Sequence, residues 1–355
     1  MGLRKTSVVA DQRTQLVYIL AASHSGSTLL ASLLANHHGI CTVGELKMTA
    51  LGQTSRYRCS CQSLVDECSF WSAITQQMAQ AGFAFSVSRA ETDLATGATP
   101  YVARLLRPLH RGPALEWVRD MALNLSSHWR AQLPRIQERN AALVASISAQ
   151  TGKSVVIDSS KVGLRLKYLL RNPRLDVKVI RLIRDGRAVA LTYMDPAHFA
   201  DAREPSLRGG GMGGERADER MSIRAAAWEW RRSNEEAEAI VRQLPADRWT
   251  SVRYESLCTD TTETLRRLFA FIGVEPDTGE QALRSYQHHM IGNGMRLDNT
   301  TLINLDDRWR MELTPHDLQS FDSVAGDLNR CLGYQQTQET LPPEPSQRSQ
   351  YVRVQ

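Results

Sequence analysis

The chain has 355 residues, 42% of them apolar and 23% charged, with 22 Gly and 13 Pro. That is ordinary globular composition, and it excludes collagen-like, disordered and disulfide-scaffold chains. The 43 Lys and Arg against 38 Asp and Glu leave a formal charge of +5, a bias that suits an anionic small ligand. A nucleic-acid binder would carry its basic residues in clusters, so no nucleic-acid partner is expected.

The opening stretch, MGLRKTSVVADQRTQ, is a short tail over residues 1–15 with no apolar run long enough for a secretory signal. No segment approaches the roughly 20 apolar residues that span a bilayer. No membrane span is therefore expected, and the location read from the sequence is cytoplasmic, with reduced thiols. A single domain over 16–335 accounts for the rest, apart from the Pro- and Gln-rich residues 336–355, which read as a disordered tail.

Leu16 to Ala21 (LVYILA) is a buried strand by length and composition. A turn of Ser, His, Ser, Gly, Ser and Thr follows, then a helix over Thr28 to Asn36 with Leu29, Leu30, Leu33 and Leu34 on one face. Cys59, Cys61 and Cys68 form a compact run that a zinc ion could use with Cys41 or His37 as a fourth ligand. The spacing is not that of a zinc ribbon, so a redox-sensitive pair or a packed loop is expected, and no metal.

Residues 71–150 are helical by periodicity, either covering one side of a site or lying as a layer on the sheet. Val155 to Ile157, Val177 to Ile183 and Thr250 to Arg253 read as further core strands. The polar loop over 195–220 carries Gly209, Gly210, Gly211, Gly213 and Gly214 and reads as a lid or a disordered segment. Trp228 and Trp230 fall on different faces of one helix, so at most one of them faces a site. Strands alternating with helices give the fold class: α/β, three layers (α/β/α), with a central, mainly parallel sheet.

The first strand-turn-helix carries the chemistry. Successive backbone N–H groups at such a turn, aided by the helix dipole, hold a phosphate or sulfate. Gly26 allows close backbone approach, while Ser25, Ser27 and Thr28 add hydroxyl donors. The same residues would also serve an ordinary Ser- and Thr-capped helix start. A Walker A loop needs a lysine before its final hydroxyl residue, and Gly26 is followed directly by Ser27-Thr28.

Together with VKVIRLIRDGRAVALT (Val177 to Thr192), VRYESL (Val252 to Leu257), HHMIGNGMR (ending at Arg296) and DDRW (ending at Trp309), the turn resembles the PAPS-dependent sulfotransferases. The pattern is most similar to tyrosylprotein sulfotransferases and their bacterial relatives. The resemblance covers roughly 16–335 and implies a P-loop-like sulfotransferase fold with helical insertions. It places Ser23, His24, Ser25, Gly26, Ser27, Thr28 and Leu29 around the 5′-phosphosulfate of 3′-phosphoadenosine 5′-phosphosulfate (PAPS). Arg184 and Thr192 fall on its 3′-phosphate, and Tyr254, Asn293 and Arg296 are further contacts.

A guanidinium fork and a helix hydroxyl suit a dianionic phosphate in any case. The resemblance also implies Glu45, in CTVGELK, as base for the acceptor hydroxyl, and Lys161, at the end of VIDSSK, as donor to the bridging oxygen. His24 stands where the family has Arg or Lys and carries charge only when protonated. The implied activity is sulfonate transfer to a hydroxyl acceptor of unassigned class, and a homodimer stays open. The alternatives are a P-loop kinase-like phosphotransferase, with Asp158 as its magnesium-binding acid, and a nucleotide-binding module without catalysis.

Overall fold

The computed structural model describes residues 13–47, 57–87, 91–107, 112–200, 202, 204–207, 220–276, 287–298 and 303–335. Most of the first tail, the Gly-rich part of the 195–220 loop and the 336–355 tail lie outside the described residues. Thr14–Ala21 (β1), Ile40–Thr42 (β2), Val155–Lys161 (β3), Leu175–Ile183 (β4) and Trp249–Arg253 (β5) form one sheet in the order β2-β3-β1-β4-β5. Every neighbouring pair is parallel.

The helices are α1 (Ser27–Leu34), α2 (Ser69–Gln80), α3 (Pro100–Leu105), α4 (Gly112–Leu125), α5 (Ser127–Thr151), α6 (Gly163–Leu169) and α7 (Gly186–Met194). They continue with α8 (Pro196–Phe199), α9 (Ile223–Val241), α10 (Tyr254–Thr259), α11 (Thr261–Ile272), α12 (Trp309–Glu312) and α13 (Pro315–Cys331).

The layers follow from alternation along β1, where Leu16 to Ala21 are all buried. Leu16, Tyr18 and Leu20 pack against α2, α5 and α9 through Trp71, Ile74, Leu143, Val144 and Ile240. Val17 and Ile19 face the other way, onto Leu29, Leu30, Leu33 and Leu34 of α1 and Leu265, Leu268 and Phe269 of α11. A strand covered on both faces shows no polar side, which is why it reads as a continuous apolar run.

Periodicity left two roles open for the 71–150 helices, and packing supports the layer: none of their described residues lines the cleft at the strand ends. α2 and α5 form a layer on the sheet. Val102, Leu106, Leu123, Trp129 and Ile136 form a separate cluster with Leu164 and Tyr168 of α6. β2 is a further strand that periodicity does not show, because ICT is too short to display any alternation. β3 runs on to Lys161, past its apolar part. Its pairing with β1 slips between Tyr18 and Leu20, so Leu20 lies opposite Lys161. Lys161 takes a φ of 68° there, in the left-handed region. Among the described residues, no helix is long and apolar enough to cross a membrane.

Candidate active site

A cleft of about 510 Å³ opens at the C-terminal ends of β1, β3 and β4, the ordinary place for a ligand in an open parallel sheet. Its floor is the turn after β1. Gly26 sits just before α1 with φ 90°, and no side chain caps the helix. The capped-helix reading of this turn therefore fails, and the first-turn N–H groups of α1 are directed at the cleft. A Cβ on Gly26 would lie 2.5 Å from Cδ2 of Tyr254, so only glycine lets the ring close over the turn.

Ser23, His24, Gly26, Ser27, Thr28 and Leu29 line the cleft, together with Glu45, Lys161, Arg184, Thr192, Tyr254 and Asn293. Ser25 is buried beneath the turn and is not among the lining residues. The His24 backbone is left-handed (φ 63°), and its ring packs edge-on against Tyr193, with centroids 4.7 Å apart. Asn293 is tied to the turn by its backbone N–H, which donates to Thr28 Oγ1 at 3.2 Å.

Arg184, at the end of β4, donates to the carbonyl of His24 at 2.9 Å and to the Asp306 carboxylate at 3.0 Å. Its guanidinium lies 4.2 Å from the Tyr254 ring centroid. Arg187, the second arginine of the run Arg184-Asp185-Gly186-Arg187, has a structural role. It pairs with Asp185 at 2.7 Å and stacks on Trp309 at 4.0 Å. Asp185 also caps α7. Trp230 is buried and donates its indole N–H to the Arg184 carbonyl at 3.2 Å, while Trp228 is exposed, so neither lines the cleft.

Glu45 and Lys161 form an ion pair on the cleft wall, and Lys161 Nζ also donates to the Ser159 carbonyl at 3.2 Å. Asp158, fully buried, holds the pair in place. It accepts from Leu46 N–H at 3.0 Å and from the Ser160 hydroxyl, and it pairs with Arg165 at 3.2 Å. Ser160 Oγ accepts from Lys47 N–H at 2.7 Å, so the segment carrying Glu45 is fastened on its far side to the end of β3. With its carboxylate buried and bonded in this way, Asp158 does not offer a magnesium ligand to the cleft.

One expected contact is corrected. Arg296 is buried and absent from the cleft lining; its guanidinium donates to the carbonyls of Arg58 at 2.7 Å and His289 at 3.1 Å. The carbonyls of two converging loops both accept from its Nη1, which directs the guanidinium away from the cleft. Beside it, burial and then the Arg296 charge pull the His289 pKa down to about 3, so that imidazole is neutral.

The cleft also holds residues that sequence reasoning did not assign, among them Asp306 and Arg308. Asp306 bridges Arg184 and Arg308, the latter at 2.7 and 2.9 Å. Both lie in the DDRW tetrapeptide, which pointed to this region without separating their roles.

A family profile described as the sulfotransferase family matches residues 17–278. The chain belongs to the sulfotransferase family. Mouse (Mus musculus) carbohydrate sulfotransferase 5 is 30% identical over 190 residues, 50% of this chain and 47% of its own length. Human (Homo sapiens) carbohydrate sulfotransferase 3 is 28% identical over 177 residues, 48% of this chain and 36% of its own. The match thus spans less than half the length of either relative. Among solved structures, the sulfotransferase domain from the curacin biosynthetic pathway aligns over 89% of this chain and 97% of its own, at 17% identity and TM-score 0.46. Mouse sulfotransferase SULT7A1 complexed with PAP aligns over 91% of this chain and 89% of its own, at 11% identity and TM-score 0.44. PAPS is the co-substrate that membership of the sulfotransferase family implies.

Proposed function

We propose that the protein transfers the sulfonate group of PAPS to a hydroxyl acceptor by in-line displacement. The observation that carries this reading is the shared cleft. The Ser27-Thr28 helix start, the Arg184 guanidinium and the Glu45–Lys161 pair all line it. The turn would hold the 5′-phosphosulfate, and Arg184 with Thr192 the 3′-phosphate.

In the reaction the acceptor oxygen attacks sulfur while the bond from sulfur to the bridging oxygen breaks. Glu45 takes the proton of the acceptor hydroxyl. Lys161 donates to the bridging oxygen as negative charge collects on the departing phosphate, and His24 donates to a sulfonate oxygen. The Glu45–Lys161 pair opposes a purely binding role, because a module that only held a nucleotide would need no proton acceptor beside its phosphate turn. A kinase-like reading lacks both a Walker lysine and, with Asp158 buried against Arg165, its magnesium ligand. Two relatives are named carbohydrate sulfotransferases, so a carbohydrate hydroxyl is the first acceptor to test. A cytoplasmic location is proposed with this activity.

The test is a thermal-shift titration with 3′-phosphoadenosine 5′-phosphate (PAP) against ATP with magnesium. PAP at 100 times its Kd should add about 2.7 kcal/mol of stability. Stabilisation by ATP–magnesium with none by PAP would replace this reading with the phosphotransferase one.

A further inference from the structure

The cysteine run meets a residue that its own spacing could not supply. Sγ of Cys59 lies 3.6 Å from His288 Nδ1, Sγ of Cys68 lies 3.4 Å from the same nitrogen, and the Cys61 and Cys68 sulfurs are 3.6 Å apart. All four donor atoms fall within 4.8 Å of one another. The two residues expected as a fourth ligand are engaged elsewhere. Cys41 donates to the Val155 carbonyl at 3.5 Å, and His37 bonds the Glu275 carbonyl at 2.7 Å.

We propose that Cys59, Cys61, Cys68 and His288 bind a structural zinc ion that fastens the 57–68 loop to the 287–298 segment bordering the cleft. The inference is independent of the sulfotransferase reading. A tetrahedral zinc site with bonds of about 2.3 Å to sulfur and 2.0–2.1 Å to nitrogen has edges of about 3.8 Å between sulfurs and 3.6 Å from sulfur to nitrogen. The three observed separations come within about 0.2 Å of these edges, and the remaining ones stay within 4.8 Å. Three thiols and an imidazole are soft, nitrogen-and-sulfur donors, the set that selects zinc over magnesium or calcium. On binding, the three thiols release their protons and the zinc takes the thiolate sulfurs and His288 Nδ1 as its four ligands.

The surroundings orient the ligands as an outer shell does at a metal centre. The His288 ring stacks on Phe70 with centroids 4.4 Å apart and planes 1° from parallel, and Trp71 donates its indole N–H to the His288 carbonyl at 3.2 Å. The loop is a tight knuckle. Cys59 N–H donates to the Ser63 carbonyl at 3.0 Å, Gln62 N–H to the Cys59 carbonyl at 2.8 Å, and Gln62 turns the chain with φ 71°. Backbone bonds run the same way as the proposed ion, since Ser60 N–H donates to His289 O at 3.0 Å and His289 N–H to Ser60 Oγ at 2.9 Å. A Cys61–Cys68 disulfide would use two of the donors and leave Cys59 and His288 turned toward them without function.

The experiment is metal analysis of the full chain purified under reducing conditions without chelator, followed by replacement with cobalt(II). One zinc per chain is expected, with the intense visible absorption of tetrahedral cobalt–thiolate after exchange. Cys61→Ser and His288→Ala should each bring metal content to background. Removing the metal from the wild-type chain should lower its Tm and weaken PAP binding, because the 287–298 segment carries Asn293. A folded chain that takes up neither zinc nor cobalt overturns the proposal, as does a Cys61–Cys68 disulfide found in the metal-free protein. Metal content is read without PAPS, so failure here leaves the sulfotransferase reading standing, and failure of PAP binding leaves this site standing.

Discussion

Glu45 owes its position to hydrogen bonds made by the residues that follow it. Its neighbour Leu46 is bonded to the buried Asp158, and Lys47 to Ser160, so the carboxylate reaches Lys161 from a fixed backbone. Glu45→Gln keeps the shape of the wall but removes the proton acceptor. PAP affinity should stay unchanged while turnover falls roughly 100- to 10,000-fold; full turnover in this variant takes Glu45 out of the mechanism. Asp306 permits a pH test. Its burial opposes ionisation, but hydrogen bonds and charge from Arg308 and Arg184 outweigh it and hold the carboxyl well below the usual carboxylate range. Such a depressed pKa stabilises the fold above the unfolded value of about 4 and loses that contribution as pH falls through the folded one. Asp306→Asn should therefore have a lower Tm than wild type at neutral pH, the gap closing only in strong acid. A gap that does not change with pH would show that the ion pairs contribute nothing.

The turn from β1 into α1 is the element on which the proposed PAPS binding depends. Gly26 answers two demands at once: a φ of 90° and room for the Tyr254 ring. Gly26→Ala meets strain and a clash together and should cost about 1–3 kcal/mol, measured as a lower denaturation midpoint, with PAP affinity lost beyond what the destabilisation explains. Wild-type affinity would mean that the ring and turn part without consequence. This element was legible from the sequence because strand, turn and helix are contiguous, and each part carries its own local signal. Arg296 shows the opposite case. The HHMIGNGMR segment marked the right loop, but whether a side chain faces a ligand or a carbonyl depends on the loop opposite, here Arg58. β2 was missed because three residues carry no period, although β2 leads into Glu45.

At the scale of the molecule, the helices of 71–150 do not form a separate unit. Trp71 and Ile74 of α2 and Leu143 and Val144 of α5 share one core with Tyr18 and Val156 of the sheet. Thermal unfolding should consequently be a single cooperative transition, with calorimetric and van't Hoff enthalpies in agreement; a distinct early transition would give the helical layer its own stability. The sequence by itself determined the parallel α/β architecture, the glycine-bearing turn after β1 and the Arg184 segment of the cleft, since periodicity and turn chemistry act over a few neighbouring residues. Only the tertiary structure decided which of those side chains share the cleft, that Asp306 and Arg308 join Arg184, and that His288 completes the cysteine cluster. Those meetings join positions as far apart as Cys59 and His288, separated by 229 residues. No local pattern encodes such a pairing; the packing of loops across the ends of the sheet does.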